Sequence, residues 1–412
     1  MTYHKAHIAY CSNVHPGESI NKVNNNLIEH FSAVRAQRNL TEMASGLWLS
    51  AKAADELLAR PQRLADFKQL LQQQGVLLTS LNGFPYGDFH LAEVKQKVYL
   101  PTWAQTERLT YSQQLADILA QCLPKDISTG AISTLPLGYA ENWTAEQMQS
   151  AAEQLITLAQ YLKNLEHSSG KRIIFCIEME PDCVLQSTDE LVAFFTVHLL
   201  PKAEQIGCSK SDILRYIGCC YDTCHQGVMN ENIKQSLTKI TQAGIEIGKI
   251  QISNAVNAQL TSAEQVSELT TLFKDIKFLH QTKVFQQDTL LAELADLNEQ
   301  ALLTVFNDYQ DALPLTAKIH YHIPVNQTAL PKPFLSSTQA AILSTLNFLQ
   351  ATPSCRPYLE IETYTWLNLI DHDSQQAQTL QQTLHQGLVA EFNWLEQALA
   401  ERNLLSTPLF NT

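Results

Sequence analysis

Short apolar runs recur along the 412-residue chain, and each is followed by a stretch with the spacing of an amphipathic helix. Apolar runs of this length are typical of buried strands, and strands that alternate with helices are typical of parallel βαβ units. Eight such units predict an α/β fold, a (β/α)₈ TIM barrel, with a doubly wound open sheet as the alternative. The predicted strands are His7–Cys11, Gly46–Leu49, Val76–Leu81, Ala131–Leu135, Ile173–Ile177, Tyr216–Tyr221, Ile247–Ile252 and Tyr358–Ile361.

Helical periodicity fills the intervals between these strands, for example at Leu27–Ala36 and Thr144–Leu165. Thr144 begins the sequence Thr-Ala-Glu-Gln, in which the Thr hydroxyl caps the helix and the Gln147 side chain bonds back to the cap. A final stretch rich in Gln and Leu, Asp373–Asn403, predicts a C-terminal helix.

The interval between the seventh and eighth predicted strands is exceptional, because about 110 residues separate Ile247 from Tyr358. The excess predicts an insertion, Val256–Val325, that projects at the C-terminal mouth of the barrel. Within it, Ile276–Phe285 and Ala317–Val325 predict two further strands, as in a β-hairpin accompanied by helices. We therefore expect residues 1–412 to form a single TIM-barrel domain that carries residues 256–325 as an insertion between strands seven and eight.

Composition excludes several classes of protein. The net charge is −13 and no run of Lys or Arg occurs, so nucleic acid is not an expected partner. The best apolar run, Leu191–Leu200, is too short for a membrane span, and Met1–Tyr10 lacks the apolar core of a signal peptide. We therefore expect a cytoplasmic protein. The nine cysteines form no Cys-x-x-Cys pair, which favours buried thiols in a reducing compartment over a structural zinc site.

Polar residues stand at the ends of several predicted strands, although barrel strands are covered on both faces. In the fifth strand, Glu178 and Glu180 lie opposite the bulky apolar side chains and should face the lumen. Asp222 ends the sixth strand on its lumenal face, and Glu360 and Glu362 share that face in the eighth. Because the C-terminal ends of barrel strands meet at one mouth, we expect carboxylates of these three strands to converge there.

The seventh strand and the insertion add further polar side chains. Lys249 and Gln251 face the lumen, and His320 and His322 share one face of a predicted insertion strand. Buried carboxylates that lie together repel one another and take up protons, and a divalent cation relieves both effects. This mixture of ligands suits Mn²⁺, Mg²⁺, Co²⁺, Fe²⁺ or Zn²⁺. The alternative is a set of lumenal ion pairs, with Lys249 as the obvious partner.

Four loop segments follow directly after predicted strands, where TIM barrels place their functional residues. Two of these loops contain His15, Asn82 and Tyr86, which we expect to bind a small polar metabolite. They would supply hydrogen bonds to its hydroxyl groups and an aromatic wall beside it. Pro-Gly and Asn-Gly pairs taken alone indicate only turns. The four segments are Ser12–Glu18, Asn82–Gly87, Ser133–Tyr139 and Asp222–Gln226.

Several of these motifs resemble one superfamily. Ile177-Glu178, Tyr221-Asp222-Thr223-Cys224-His225 and Ile361-Glu362 resemble the xylose isomerase-like barrels, which include sugar isomerases, sugar epimerases and relatives of endonuclease IV. Longer motifs resemble the EboE branch, the barrel component of the Ebo gene cluster, which is described as a metabolite-traffic protein. The resemblance extends from about Ile8 to Trp366. The longer motifs are Asn13–Glu18, Leu81–Gly87, Ser133–Tyr139, Cys220–Gln226 and Leu359–Trp366.

The resemblance implies roles for individual residues. In the epimerase-like barrels the acids after strands five, six and eight bind a divalent metal ion, which points to Glu178, Asp222 and Glu362. The two glutamates also act there as the catalytic acid and base. The histidine three residues after the aspartate contacts substrate, which points to His225.

The chain departs from that pattern on its seventh strand. The fourth metal ligand there is usually histidine, whereas the matching residue is Gln251. Either Gln251 completes the metal site, or His320 or His322 replaces it, or no metal binds. We also expect Lys249 and these two histidines to contact the substrate.

Three functions are consistent with these residues. The first is a metal-dependent isomerase or epimerase of a polyhydroxylated small molecule, in which one glutamate removes a proton next to a carbonyl and the other returns it. The second is a non-catalytic protein that binds a small metabolite and works with other proteins of the same pathway. The third is a glycosidase that uses Glu178 and Glu362 as its carboxylate pair. Bound metal separates the first function from the third, and turnover separates the first from the second.

Overall fold

The computed structural model describes residues 2–87, 89–90, 93–365 and 377–406. The barrel strands are β1 (Ala9–Tyr10), β2 (Met43–Trp48), β3 (Val76–Asn82), β4 (Thr129–Thr134), β5 (Arg172–Glu178), β6 (Ile217–Asp222), β7 (Ile247–Ile252) and β13 (Tyr358–Ile361). All eight are parallel to their neighbours, in the order β1-β13-β7-β6-β5-β4-β3-β2. The predicted TIM-barrel fold is confirmed.

The barrel closes between β1 and β2. Their contact is a single parallel bridge that joins Cys11, which follows β1, to Gly46. A glycine is required here because a Cβ at position 46 would lie 1.6 Å from Oε2 of Glu360. The lumen is therefore filled by side chains rather than by solvent, as in other eight-stranded parallel barrels.

Helices alternate with the barrel strands. They are α1 (Ile20–Asn26), α2 (Ser32–Gln37), α3 (Ala51–Leu58), α4 (Pro61–Gln73), α5 (Thr106–Cys122), α6 (Ala145–Ser169), α7 (Thr188–Ala193), α8 (Leu200–Gln205), α9 (Lys210–Tyr216), α10 (Thr223–Val228), α11 (Ile233–Gln242), α12 (Ala263–Leu272), α13 (Glu299–Asp308), α14 (Gln339–Ala351) and α15 (Ala377–Ala400). The Thr144 hydroxyl accepts a hydrogen bond from the Gln147 backbone N–H, so α6 begins with the predicted capping box. Single π-helical segments, Leu27–Phe31 and Phe194–Leu199, join α1 to α2 and α7 to α8.

A second sheet lies between β7 and β13 along the chain. Its strands are β8 (Asn254–Leu260), β9 (Thr282–Gln286), β10 (Thr289–Leu294), β11 (Leu315–Ile323) and β12 (Leu335–Ser337). They pair antiparallel in the order β10-β9-β11-β8-β12. The sheet thus extends beyond the predicted bounds of 256–325. Only the second half of the predicted strand Ile276–Phe285 is extended, as β9, whereas Ala317–Val325 corresponds largely to β11.

This sheet has a hydrophobic core of its own. Alternate residues of β8, Val256, Ala258 and Leu260, are fully buried and pack with apolar side chains of β11, α12 and α13. These side chains form a cluster separate from the barrel core. In the C-terminal half of β11, Tyr321 and Ile323 still belong to that cluster, whereas His320 and His322 alternate with them and line the mouth of the barrel.

Two further findings concern the chain as a whole. Within the described ranges, no helix combines the length and the apolar character that crossing a bilayer requires. All nine cysteines are free thiols. The motif residue Trp366 and the first residues of the predicted helix Asp373–Asn403 lie outside the described residues.

Candidate metal centre

A cavity of about 60 Å³ lies at the C-terminal mouth of the barrel, between the loops and β11 of the insertion. Its floor is polar and its wall is largely apolar. The polar lining residues are Asn13, Asn82, Lys95, Glu178, Glu180, His225, His320, His322 and Glu362. The aromatic residues are Phe84, Phe89, Tyr99, Phe278 and Tyr364. The cavity has the composition of small-molecule sites, in which a few polar groups converge within an apolar pocket.

Three carboxylates meet at the floor of this cavity. One oxygen each of Glu178, Asp222 and Glu362 lie within 4.8 Å of one another, and all three residues are buried. Glu178 and Asp222 are the last residues of β5 and β6, and Glu362 follows β13 directly. The structure therefore brings together the acids that the strand pattern predicted to converge.

Asp222 is held firmly by one of its oxygens. Its Oδ1 accepts hydrogen bonds from the Ser253 hydroxyl at 2.6 Å and from the backbone N–H of His225 at 2.9 Å. Its Oδ2 is buried and has no hydrogen-bond partner among the described residues. One oxygen is thus fixed by the fold while the other is available to a ligand.

Gln251 lies beside Asp222, because the two residues are paired in the register of β6 and β7. It is fully buried, and neither its Oε1 nor its Nε2 has a partner in the described part of the chain. The same holds for Oε2 of Glu178. A buried polar atom without a partner costs roughly 1–3 kcal/mol, so such atoms in a native protein require an explanation.

Burial and mutual repulsion act on the acids of the floor. Burial, reinforced by Glu362 and Asp222, holds the pKa of Glu178 well above its usual value. Burial and the neighbouring Asp222 carboxylate raise the pKa of Glu362 to about 8. Hydrogen bonds from Nδ2 of Asn13 at 2.7 Å and of Asn82 at 3.3 Å to Oε1 of Glu362 only partly offset this.

A divalent cation fits this donor set. It would neutralise the clustered acids and would engage the unpartnered oxygens of Glu178, Asp222 and Gln251, while Glu362 completes the group. Four oxygen donors, one of them an amide, suit Mg²⁺ or Mn²⁺ best. Lys249 forms its ion pair elsewhere, because its Nζ lies 3.0 Å from Glu360 Oε1, and its charge only partly offsets the raised pKa of Glu178 and of Glu362.

Three histidines stand beside the carboxylates. His225 lies in the first turn of α10, which follows β6 directly, and its Nε2 lies 3.9 Å from Oδ2 of Asp222. His320 and His322 extend from β11, and their Nε2 atoms are 3.3 Å apart. Burial lowers the pKa of His322 to about 4 and holds that of His320 well below its usual value, so both rings are neutral at pH 7.

Glu180 forms a separate polar group in the cavity. Its Oε1 accepts a hydrogen bond from the Tyr99 hydroxyl at 2.8 Å and lies 3.7 Å from Nδ1 of His320. Gln281 donates from Nε2 to the Tyr99 oxygen at 2.9 Å. Burial raises the pKa of Glu180 to about 7, against the opposing effects of His225 and of the Tyr99 hydrogen bond.

Three predicted substrate contacts are not brought to the cavity. The His15 ring stacks on His30 with a centroid distance of 4.0 Å, away from the cavity lining. The Tyr86 ring packs against Tyr111 and is likewise absent from that lining. Lys249 is fully buried below the floor in its ion pair. Each side chain already has a partner in the fold, which removes it from the ligand's reach.

Other residues of the site were not selected from the sequence. Asn13 stands two residues before His15 in the same loop, but only Asn13 reaches Glu362. Gln281 and Phe278 belong to an irregular segment before β9, where no periodicity indicates direction. The sequence does indicate Glu180, because strand alternation places it on the same lumenal face as Glu178 of β5. It gives no such indication for Asn13, Gln281 or Phe278.

Comparisons with known proteins concern the fold. A D-tagatose 3-epimerase-like protein matches with a TM-score of 0.50 and 11% identity, over 98% of this chain and 98% of that one. A xylose isomerase-like TIM barrel protein from Mycobacterium smegmatis, solved in complex with magnesium, has a TM-score of 0.47, 10% identity and 95% and 99% coverage. The IolI protein with a bound zinc atom has a TM-score of 0.45, 12% identity and 96% and 99% coverage.

At these identities the likeness shows the fold alone. The chain is a TIM barrel with the fold of the D-tagatose 3-epimerase-like protein. No family model and no curated protein matches the sequence.

Proposed function

We propose that the protein is a divalent-metal-dependent isomerase or epimerase that acts on a small polyhydroxylated carbonyl compound. One observation carries the proposal. At the mouth of an epimerase-like barrel, Glu178, Asp222 and Glu362 converge in a buried cluster that forms no ion pair with a described Lys or Arg side chain and includes unpartnered oxygens. Perturbed acids at the end of a cavity are typical of catalytic sites.

The two glutamates differ from Asp222 in their access to the cavity. Glu178 and Glu362 line it, whereas Asp222 lies beneath them, fixed by Ser253. We assign Asp222 and Gln251 to metal binding, and Glu178 and Glu362 to metal binding and proton transfer. A bound divalent cation would supply Lewis-acid stabilisation to negative charge that develops on the substrate oxygens.

Proton transfer would use the two cavity-lining glutamates in sequence. One carboxylate removes the proton from the carbon next to the carbonyl, and the other delivers a proton to that carbon or to its neighbour. Asn13 and Asn82 both donate to Oε1 of Glu362, which leaves Oε2 to exchange the proton. The neutral rings of His320 and His322 are placed to contact substrate hydroxyls.

The cavity favours an uncharged substrate. Lys95 is the sole Lys or Arg among the lining residues, and it is bound to Asp296 at 2.5 Å and to the Phe278 carbonyl at 2.9 Å. None of the residues outside the described ranges is Lys or Arg. A phosphorylated substrate would thus meet several carboxylates and no free cation. The aromatic rings of Phe89 and Tyr364 provide instead a wall for the apolar face of a ring or chain.

We also propose that the chain belongs to the EboE branch and acts within a metabolite-traffic pathway with other proteins. The support is the set of long loop motifs, among them Asn13–Glu18 and Leu81–Gly87. In the structure, Asn13 and Asn82 from these two motifs both hold Glu362. These two motifs of the proposed branch therefore contribute side chains to the site.

Proton exchange tests the catalytic proposal directly. The protein, loaded with Mn²⁺, is incubated in D₂O with a panel of uncharged ketoses and their aryl-substituted analogues. NMR then detects deuterium at the carbon next to the carbonyl. We expect exchange that chelation abolishes and Mn²⁺ restores, and that falls by about 10²–10⁴-fold in Glu178→Gln and in Glu362→Gln.

Glu107→Gln provides the matched control, because Glu107 is exposed on α5 far from the cavity. Exchange that persists at the parent rate in both glutamate variants contradicts the assignment of the acid and base. Saturable binding of a panel compound without exchange or turnover in the metal-loaded protein would instead favour the non-catalytic binding function. Tighter binding of a phosphorylated ketose than of its uncharged parent would refute the substrate class.

A further inference from the structure

Two lysines stand opposite each other in the second sheet, and their amines have different partners. Lys318 of β11 is paired in register with Lys283 of β9, so both side chains leave the same face of the sheet. Lys283 forms ion pairs with two carboxylates, those of Asp182 and Glu293. Among the described residues, Lys318 donates hydrogen bonds only to uncharged oxygens. The sheet thus holds one neutralised lysine beside one whose charge is not neutralised.

Two uncharged oxygens fix the position of the Lys318 amine. Its Nζ donates to the carbonyl oxygen of Gly227 at 3.1 Å and to Oδ1 of Asn230 at 2.7 Å. The Asn230 amide is oriented by its other contact, because its Nδ2 donates to Oδ1 of Asp288 at 3.3 Å. Two N–H bonds of the amine are therefore engaged. The third position carries a proton in the ammonium form and a lone pair in the neutral form.

The charged groups around this amine do not stabilise its ammonium form enough to offset burial. Burial lowers the pKa of Lys318 to about 8, against the opposing effect of the Asp288 carboxylate. Glu231 is engaged elsewhere, by the backbone N–H and the hydroxyl of Thr188, and Lys234 adds a like charge. At pH 7.5 about a quarter of the amine is then unprotonated, against roughly 0.1% for a lysine with an ordinary pKa.

The Lys318 side chain lines a groove of about 510 Å³ on this face of the sheet. The groove runs between the sheet and the segment after α10, and none of its lining residues also lines the cavity at the barrel mouth. Amides and hydroxyls supply most of its polar groups, among them Asn257, Gln259, Thr316 and Ser337. Such groups both donate and accept hydrogen bonds, as the hydroxyl groups of a small polar ligand require.

We propose that this groove is a second ligand site, in which Lys318 captures a small hydroxylated aldehyde or ketone as an imine. The lone pair of Nζ adds to the carbonyl carbon, the carbonyl oxygen takes up protons, and loss of water leaves a C=N bond. The step consumes no oxidant or reductant. Lysines that burial makes less basic are well suited to this chemistry. The site is independent of the metal centre and of the proposed isomerase function.

Reductive trapping tests the proposal on the full chain. The protein is incubated at pH 7.5 in a chelating buffer with glyceraldehyde and sodium cyanoborohydride, which reduces the imine to a stable secondary amine. Peptide mass spectrometry then identifies the labelled lysines. We expect Lys318 to react on the order of 10²-fold faster than Lys234, with saturation at high glyceraldehyde concentration. Lys234 is the internal control, because it lines the same groove but is exposed.

Two variants distinguish capture by Lys318 from ordinary labelling of surface lysines. Lys318→Arg should abolish the fast label. Asp288→Asn removes the carboxylate that favours the ammonium form, so labelling of Lys318 at pH 7.5 should become faster. Labelling of Lys318 at the rate of Lys234 in the parent protein overturns the proposal. So does a rate that rises in strict proportion to glyceraldehyde concentration, because that result shows a reactive amine without a ligand site.

Discussion

Glu360 lies in the last barrel strand, and Glu362 follows that strand on the same face. Their side chains nevertheless have different partners. Glu360 points into the lower lumen, where Lys249 pairs with it at 3.0 Å and Ser80 donates a hydrogen bond at 2.9 Å. Glu362 points into the mouth, where its neighbours are two further carboxylates. Its only donors there, among the described residues, are the Asn13 and Asn82 amides.

The comparison separates an acid whose charge is paired within the fold from one whose charge is not. Both positions are buried, and both follow the strand parity that the sequence displays. In the lower lumen the chain supplies its own cation, so the charge is part of the core. At the mouth no described Lys or Arg side chain forms an ion pair with Glu362, and burial together with the Asp222 carboxylate raises its pKa to about 8. A buried acid is therefore a better indicator of function when the protein leaves its charge uncompensated.

Removal of Lys249 should have the largest effect, because it would turn the lower lumen into a second uncompensated acid site. Lys249→Met leaves Glu360 buried without a cation, and we expect a loss of about 3–5 kcal/mol in the free energy of unfolding. Urea denaturation measures it. The double variant Lys249→Met/Glu360→Leu should recover most of the loss. A single variant as stable as the parent would show that the ion pair does not stabilise the lumen.

Removal of the Glu362 carboxylate should increase the free energy of unfolding rather than decrease it. The pKa of Glu362 is raised to about 8 in the fold, so the folded metal-free protein keeps a proton that the unfolded chain has lost. Stability should therefore fall as the pH rises from about 4.3 towards 8. Glu362→Gln removes this dependence and should stabilise the chelated protein at pH 8 by on the order of 2–4 kcal/mol. Little difference is expected at pH 4.

Urea titrations of both proteins in a chelating buffer at the two pH values decide the matter. Equal stability at pH 8 would mean that Glu362 is compensated by a group other than a metal ion. Added Mn²⁺ should stabilise the parent protein more than the variant, because the ion binds the ionised carboxylate of the folded state.

Removal of one amide donor should have a smaller effect on the mouth. Asn13→Ala deletes the shorter of the two hydrogen bonds to Glu362 Oε1, and we expect roughly a 10-fold loss in Mn²⁺ affinity, as is usual when a ligand loses its orienting partner. Calorimetric titration measures the change. The exposed Asn307 supplies the control through Asn307→Ala. An affinity within experimental error of the parent would remove Asn13 from the site.

Tyr86 should have the smallest effect, because it belongs to neither region. Its ring packs against Tyr111 outside the cavity lining, so Tyr86→Phe should change ligand and metal affinity by less than about twofold, which is within the range of ordinary surface substitutions. A loss of tenfold or more would place the Tyr86 hydroxyl in the site, as the loop motif first suggested. The same titrations as for Asn13 provide the measurement.

The barrel and its converging acids could be predicted because they depend on regular periodicity. A strand has a period of two, so the parity of Glu178 and Glu362 predicts the lumenal face, and the strand end predicts the mouth. Their position needs no knowledge of the loops. The long interval between the seventh and eighth strands is likewise visible in the sequence alone, although the second sheet runs from Asn254 to Ser337 and exceeds the predicted bounds of 256–325.

The loops could not be predicted in this way. Ser12–Val14 forms a 3-10 turn, and this turn directs Asn13 to Glu362 and leaves His15 to stack on His30. Whether Asn13 or His15 reaches the cavity depends on the backbone angles of this turn, and the sequence pattern does not determine those angles. Gln281 presents the same difficulty, because its role depends on the Pro181 carbonyl 100 residues earlier in the chain.

The separate core of the insertion has a consequence for folding cooperativity. Asp222 and His225 are anchored to the barrel core, whereas His320 and His322 extend from a sheet that is stabilised by its own apolar cluster. A ligand that binds groups from both units exists only when both are folded, so its binding energy couples two otherwise separable transitions. Without a bound ligand, the insertion should unfold separately from the barrel. With the ligand bound, the barrel and the insertion should unfold in one transition.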